Sequence, residues 1–253
     1  MKIVLVNDDG IHAKGIQFLA KTLKQEHEVV IVAPAAEQSG KGHAISTKTP
    51  LIITSEACAD QAVPGYQVEG SPADCVAVAC KGLMLAPDII ISGINCGFNL
   101  GADIFYSGTV SAAIEGALMG VTSIAISAAS FEEEILSISA TVVLNLLYAL
   151  QLDREAPALY NINVPSSPIG ATCAALSPDS CSSVMGTMEK RQDPRGRIYY
   201  WRRSPRYKEN QWENTDRWWS RKKYITITPL NIDLTKYESM AKARILSSVL
   251  MTT

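Results

Sequence analysis

Short apolar runs alternate with amphipathic stretches along the first two thirds of the chain. Residues 2–7 form a β-branched apolar run that ends in an Asp-Asp-Gly turn, and apolar residues at helical spacing follow over 13–25. A continuous apolar run of this kind is typical of a parallel strand buried on both faces. The run 29–33 completes a β-α-β unit, whose crossover we expect to be right-handed.

The same alternation continues to about position 165. Further strands are predicted over 51–54, 66–69, 88–92, 123–127 and 159–164. Helices are predicted over 72–83, 109–119 and 133–150, the first of them with Pro72 in its first turn. This order predicts a doubly wound α/β fold with a mainly parallel sheet.

The composition changes in the last third of the chain. Residues 188–223 contain twelve of the 23 Lys and Arg residues, five of the 25 Asp and Glu residues and all four tryptophans. We predict that 199–202 and 224–228 pair as the two arms of an extended β-hairpin. A final helix is predicted over 236–250.

Composition and charge exclude several classes of protein. A 47% apolar content excludes general disorder, and a net charge of −2 argues against a chain wholly devoted to nucleic acid or membrane surfaces. The six cysteines form no C-x-x-C pair, and neither a signal peptide nor a membrane span is expected. Free thiols in a reducing cytoplasm are the simplest interpretation.

Four polar loops follow predicted elements, at positions where open α/β sheets bind ligands. In the first, Asp8 and Asp9 are adjacent carboxylates that a divalent cation would stabilise, although capping of the next helix explains them equally well. Gly10 permits the turn that would bring the carboxylates of Asp8 and Asp9 to one side. The second loop contains Ser39, for which a flexible polar loop is the simpler interpretation.

The other two loops are rich in glycine, amide and hydroxyl groups. One contains Asn95, Asn99 and three glycines, without the G-x-G-x-x-G spacing of a dinucleotide site. The other contains Ser107, Gly108 and Thr109 before a predicted helix, which suits an anion site, an N-cap, or both. Together the loops supply hard oxygen ligands, which favour Mg²⁺ or Mn²⁺ over Zn²⁺.

In their order along the chain, these motifs resemble those of the SurE survival-protein family. The motifs are V-N-D-D-G-I from Val6, Q-S-G from Gln38, G-S-P-A-D-C-V from Gly70, S-G-I-N from Ser92, N-L-G from Asn99, Y-S-G-T-V from Tyr106, P-R-G-R-I-Y-Y-W from Pro194, T-D from Thr215 and I-T-I-T-P-L from Ile225. The resemblance covers almost the whole chain. It implies a Rossmann-like three-layer α/β sandwich with an extended β-hairpin arm and a C-terminal helix used in oligomerisation.

The resemblance also implies how the chain is divided and assembled. A catalytic core is expected over 1–185, the hairpin arm with its return strand over 186–230, and the C-terminal helix over 231–253. A homodimer or homotetramer would form through the arm and the helix. Neither a membrane nor a nucleic acid is an expected partner.

The activity that the resemblance implies is that of a metal-dependent 5′-nucleotidase acting on nucleoside 5′-monophosphates. One divalent cation, Mg²⁺ or Mn²⁺, is expected, and the implied metal ligands are Asp8, Asp9, Ser39 and Asn95, with Asp8 and Asp9 also catalytic. The implied phosphate-contacting residues are Asn99, Ser107, Gly108 and Thr109. Gly42, His43 and Ser111 depart from the family pattern, which bears on substrate preference.

Two questions of mechanism and function stay open at this point. Attack on the phosphate by a metal-activated water is the hypothesis, and a covalent phospho-aspartate on Asp8 is the competing mechanism. The alternative function is a non-catalytic nucleotide or single-stranded nucleic-acid binding module that uses the basic, Trp-rich segment. An oligomerisation arm, in which Trp, Tyr and Arg are also enriched, is the other interpretation of that segment, and the family resemblance favours it.

Overall fold

The computed structural model describes residues 1–152, 157–178, 187–203 and 212–250. The strands are β1 (Lys2–Val6), β2 (Glu28–Pro34), β3 (Ile53–Cys58), β4 (Val63–Val68), β5 (Ile89–Cys96), β6 (Thr122–Ala128), β7 (Leu159–Val164), β8 (Gly170–Cys173), β9 (Met188–Gln192), β10 (Ile198–Arg202) and β11 (Tyr224–Pro229). The helices are α1 (Lys14–Leu23), α2 (Pro72–Ala77), α3 (Gly108–Leu118), α4 (Glu133–Leu152), α5 (Asp216–Arg221) and α6 (Met240–Leu250). A π-helical turn (Val78–Gly82) and two 3₁₀ turns (Gly101–Phe105 and Tyr237–Ser239) complete the described elements.

Nine of these strands form one sheet in the order β3-β4-β2-β1-β5-β6-β7-β11-β8. The pairs β3–β4 and β7–β11 are antiparallel, and the other neighbours are parallel. The predicted mainly parallel α/β fold is therefore confirmed. Because β1 lies between β2 and β5, the loops that follow these three strands meet at one edge of the sheet.

Both faces of the sheet are buried, which explains the continuous apolar run of β1. Ile3 and Leu5 pack with α1 and α4 on one face, whereas Val4 and Val6 pack with α2 on the other. All four side chains are fully buried. Alternate residues of a strand point to opposite faces, so a strand covered on both sides needs apolar residues at every position.

Helix α4 is long and apolar enough, by length and composition alone, to cross a membrane over Glu133–Leu150. Its buried residues Leu136, Ala140, Val143 and Leu147 belong to the core cluster that includes the inner face of β1. These positions recur at helical spacing along one face of α4. The helix therefore packs as a core helix against the sheet.

The predicted pairing of 199–202 with 224–228 is wrong. Strand β10 pairs antiparallel with β9, and β11 lies in the main sheet between β7 and β8. The β9–β10 turn is set locally, because Asp193 accepts backbone N–H bonds from Arg195 and Arg197 and Gly196 has a positive φ. In β11 the alternating residues place Ile225 and Ile227 against the core cluster on one face of the sheet, whereas the buried Thr226 and Thr228 lie on the opposite face.

Several boundaries differ from the predictions in smaller ways. The helix predicted over 72–83 is α-helical only to Ala77 and continues as the π-helical turn. Strands β8 and β9 and helix α5 were not predicted. The expected boundary between 185 and 186, and Cys181, lie outside the described residues.

Candidate active site

A cleft of about 540 Å³ opens at the carboxyl ends of the central strands. It gathers five of the predicted site residues, which are Asp8, Ser39, Asn95, Asn99 and Ser107. The other lining residues are Gly40, Cys96, Gly97, Phe98, Leu100, Asp103, Tyr106, Arg217, Ser220 and Arg221. The cleft therefore lies where open α/β sheets bind ligands.

The acidic pair lies in a tight turn directly after β1. The Asn7 side chain donates to the Gly10 carbonyl oxygen at 2.8 Å and accepts from the Gly10 N–H at 3.2 Å. Gly10 has a φ of 101°, which favours glycine. This closed turn fixes the backbone that carries Asp8 and Asp9.

Asp8 is held from two directions and is only 4% exposed. The Thr109 hydroxyl donates to Asp8 Oδ1 at 2.5 Å, and the Asp8 carbonyl oxygen accepts from the Gln38 N–H at 2.7 Å. Gly108 lies against the same side chain, since a Cβ added there would come within 2.6 Å of Asp8 Cβ. The start of α3 and the loop after β2 thus hold Asp8 in one position.

The two carboxylates lie in an environment that disfavours their negative charges. Burial raises the pKa of Asp8, although its hydrogen bond from Thr109 opposes the shift. Burial, together with the negative charges of Asp8 and Glu37, raises the pKa of Asp9 to about 6. Asp9 Oδ2 is buried without a hydrogen-bond partner among the described residues. Two adjacent acids with raised pKa values and an unpartnered oxygen fit a divalent cation.

Asn95 and Ser39 add neutral oxygens to this position. The register of β5 against β6 shifts between Ser92 and Asn95, so a bulge precedes Asn95. Asn95 Nδ2 donates to the Gly97 carbonyl oxygen at 2.7 Å, which leaves its Oδ1 as the amide atom available to a ligand. Ser39 is exposed in the loop after β2.

The predicted metal ligands include no imidazole or thiolate group. No group of three or more His, Cys, Asp and Glu side chains suited to a metal is found in the described part of the chain. The predicted ligand set instead combines two carboxylates, a hydroxyl and an amide. Such a set of hard oxygens suits Mg²⁺ or Mn²⁺.

The N-terminus of α3 carries the other predicted residues. Ser107 is the N-cap, and its Oγ accepts from the Val110 N–H at 3.1 Å. Ser107 lines the cleft, whereas Gly108 packs beneath Asp8 and Thr109 is fully buried. The hydroxyl of Thr109 therefore contacts Asp8 rather than the open cleft.

Asn99 is held by side chains of two neighbouring strands. Its N–H donates to Asn163 Oδ1 at 2.8 Å, and its carbonyl oxygen accepts from Asn161 Nδ2 at 2.8 Å and Asn163 Nδ2 at 3.1 Å. Its own Nδ2 donates to Ser127 Oγ at 2.8 Å. Sequence reasoning missed Asn161 and Asn163, although two asparagines at alternate positions of an apolar strand are a usable signal.

Helix α5 supports the next residues of the same loop. Arg217 forms a 2.7 Å ion pair with Asp103 and donates to the Leu100 carbonyl oxygen at 2.8 Å. Asp216 Oδ2 accepts from the Gly101 N–H at 2.7 Å. Burial raises the pKa of Asp103, and the charge of Arg217 opposes that shift. Residues 216–221 were expected to belong to the arm, so these contacts were not predicted.

The fold and the site together define an α/β protein whose cleft gathers oxygen ligands after adjacent parallel strands. A family model described as Survival protein SurE matches residues 3–186. The chain therefore belongs to the SurE family, and the resemblance noted in its motifs is confirmed.

Known members of the family match almost the whole chain. The 5′-nucleotidase SurE of Pelotomaculum thermopropionicum is 40% identical over 96% of this chain and 94% of its own length. The protein of the same name from Desulfitobacterium hafniense is 43% identical over 96% of both chains. The crystal structure of the SurE protein from Aquifex aeolicus is 33% identical, covers 98% of this chain and 100% of its own, and superposes with a TM-score of 0.81.

Proposed function

We propose that the protein is a 5′-nucleotidase that hydrolyses nucleoside 5′-monophosphates to nucleoside and phosphate. The observation that carries the proposal is one cleft in which Asp8 and Ser39 lie beside Asn95 and the capped N-terminus of α3. Nearly full-length relatives named 5′-nucleotidase SurE support it, and their names give the non-catalytic alternative no support.

The metal site in this proposal consists of Asp8, Asp9, Ser39 and Asn95. Two carboxylates with raised pKa values and the unpartnered Asp9 Oδ2 support one divalent cation, Mg²⁺ or Mn²⁺. When bound there, the cation supplies charge neutralisation and activation of water.

The phosphate is bound at the start of α3 and by Asn99. The first N–H groups of a helix lack intrahelical partners and carry the positive end of its dipole, so they stabilise an anion. Asn99 Nδ2 has two hydrogens, of which Ser127 accepts one, so the second is available to a phosphate oxygen. Thr109 holds Asp8 instead, because its hydroxyl already donates to that carboxylate.

A water molecule is the proposed nucleophile rather than Asp8, whose Oδ1 already accepts a hydrogen bond from Thr109 and whose carboxylate is a proposed metal ligand. In-line attack then needs mainly positioning and charge stabilisation, which the rigid loops around the cleft supply.

A phosphate-release assay tests the proposal. The protein is assayed on nucleoside 5′-monophosphates with Mg²⁺, Mn²⁺ or a chelator, beside the Asp8→Asn variant. Release is expected with metal, and it should fall to background with chelator or in Asp8→Asn. Asp60→Asn, a change in an exposed ion pair with Lys21, should release phosphate at the unchanged rate. No release from any monoester would contradict the proposal.

A homodimer or homotetramer is part of the same proposal. Strand β10 exposes Tyr200 and Trp201, and α6 exposes Ile245. A two-stranded hairpin is marginal on its own, and exposed apolar surface marks interaction sites. Light scattering of Trp201→Glu beside the parent protein tests the assembly, and the variant is expected to form a smaller species. An unchanged mass would exclude this part of the arm from the interface.

A cytoplasmic location is also proposed. Cys58, Cys75, Cys80, Cys96 and Cys173, the cysteines that the structure describes, are free. Unpaired thiols are the usual state in a reducing compartment. Fractionation of the source cells, with detection of the protein by antibody, tests this location, and recovery outside the cytoplasmic fraction would contradict it.

A further inference from the structure

We infer that Asn163, assisted by Asn161, is a positioning residue for the hydrolysis. It binds the backbone N–H and carbonyl oxygen of Asn99 and so fixes the Asn99 side chain in the cleft. The inference rests on the proposed function. It adds two residues of β7 to a site that otherwise consists of loops and a helix N-terminus.

The geometry of the contact is that of a two-point clamp. The Asn163 side chain accepts from the Asn99 N–H and donates to the Asn99 carbonyl oxygen. Both backbone polar groups of Asn99 are therefore bound by the side-chain amide of Asn163. Asn161 donates a second bond to the same carbonyl oxygen. Three hydrogen bonds thus fix both the place and the rotation of the Asn99 backbone.

The clamp replaces the hydrogen bonds that a sheet neighbour would normally supply. Asn99 lies beyond β5, it is 8% exposed, and buried backbone groups without partners cost about 1–3 kcal/mol each. Asn161 and Asn163 are fully buried and lie at alternate positions of β7, so both point to the same face of the sheet and reach the Asn99 backbone there. Polar side chains in such a place are costly unless they are paired. Both polar atoms of Asn163 and the Nδ2 of Asn161 are paired with Asn99, whereas Asn161 Oδ1 has no partner among the described residues.

The position of the Asn99 backbone matters because it determines where the Asn99 side chain meets Ser127 and the proposed phosphate. Asn99 Nδ2 already donates to Ser127, which restricts the side chain to one orientation over the cleft. With its backbone also held, Asn99 has little freedom, so the second Nδ2 hydrogen points to a fixed place. A shift of about 1 Å in such a group lowers a rate by about 10²-fold.

A double-mutant cycle with Asn99 separates positioning from simple stabilisation. The parent protein, Asn163→Ala, Asn99→Ala and the double variant are assayed with Mn²⁺ for kcat and KM, and their Mn²⁺ affinity and urea unfolding are measured. Asn163→Ala is expected to lower kcat/KM by about 10²-fold without a matching loss of Mn²⁺ affinity. In the Asn99→Ala background, the same change should lower kcat/KM by about twofold or less, because residues that act as a unit are not additive.

Two further variants control for packing and folding. Thr228 is a buried residue of β11 that lies directly opposite Asn161, and its Oγ1 has no partner among the described residues. Thr228→Val should therefore leave kcat/KM unchanged. Asn163→Asp keeps the size and the acceptor for the Asn99 N–H, but its other oxygen faces the Asn99 carbonyl oxygen. It should therefore reproduce the loss, and it decides the question if Asn163→Ala does not fold.

Three results would overturn the inference while leaving the proposed function intact. They are a folded Asn163 variant with parental kcat/KM, an equal loss with and without Asn99, and a loss that follows weaker Mn²⁺ binding. An inactive parent protein would instead overturn the proposed function, and the inference with it.

Discussion

Replacing Gly108 with Ala would place a methyl group 2.6 Å from Asp8 Cβ, 3.0 Å from Asp8 Oδ2 and 3.1 Å from Pro72 Cγ. Ordinary contacts of a Cβ atom begin at 3.4 Å, so Asp8 or the start of α3 must move by about 0.8 Å. A displacement of nearly 1 Å in a catalytic group lowers the rate by about 10²-fold. We therefore expect Gly108→Ala to lose about two orders of magnitude in kcat/KM.

The expected loss of stability is much smaller. Overpacking costs about 1–3 kcal/mol, whereas Ala within a helix is favoured over Gly by about 1 kcal/mol. The free energy of unfolding should therefore fall by no more than about 2 kcal/mol. The large effect on rate beside a small effect on stability is what identifies a displaced carboxylate.

Steady-state assays with Mn²⁺ and urea unfolding measure the two effects. Gly82→Ala is the matched control, because it lies in a helical turn and the nearest atom to its added Cβ is Val78 Cγ1 at 3.9 Å. It should leave the rate unchanged and raise the free energy of unfolding by no more than about 1 kcal/mol. Parental activity in a folded Gly108→Ala protein would refute the reasoning, since it would show that Asp8 tolerates the displacement.

Three further predictions concern charge and hydrogen bonding around the cleft. The pKa of Asp9 is about 6 in the folded protein, against an ordinary value of 3.8. Between these pH values the folded state binds more protons than the unfolded state. The free energy of unfolding of the metal-free protein should therefore fall as the pH rises from about 4 to 6. Urea unfolding should show a smaller fall in Asp9→Asn than in the parent, because the raised pKa of Asp8 contributes to the fall in both proteins. Arg217→Leu leaves the buried Asp103 without its ion pair and should cost about 3–5 kcal/mol in urea unfolding, and a cost below about 1 kcal/mol would contradict it. Thr109→Val removes a bond worth about 1.5 kcal/mol to Asp8 and should lower kcat/KM about tenfold, with recovery in Thr109→Ser.

The strands were predictable where burial on both faces leaves a continuous apolar run, as in β1 and β5. The pairing of β10 with β9 was not predictable in the same way, because it depends on a local turn around Asp193 and Gly196. The basic and aromatic composition of the surrounding segment drew attention away from that turn. The length and charge of residues 188–223 indicated a single arm. The structure divides that segment between an exposed hairpin and a helix that packs beside the cleft.

The site shows the same limit. Asp8, Ser39 and Asn95 were predictable, because each follows a strand and adjacent parallel strands end at the same edge of the sheet. Asn163 and Arg217 were not, because they reach the cleft loop from 64 and 117 residues away in the chain. Contacts at such distances depend on the order of strands in the sheet, which no local pattern determines.

The loop after β5 is therefore held from two independent directions. From the sheet, Asn163 binds the backbone of Asn99, and from α5, Arg217 and Asp216 bind Leu100 and Gly101. A loop fixed on both sides does not need to reorganise when charge develops on a bound phosphate, and such preorganisation is the main source of electrostatic stabilisation in enzymes. Because Arg217 and Asp216 both belong to α5, this short helix is as much a part of the cleft's support as the strands of the sheet.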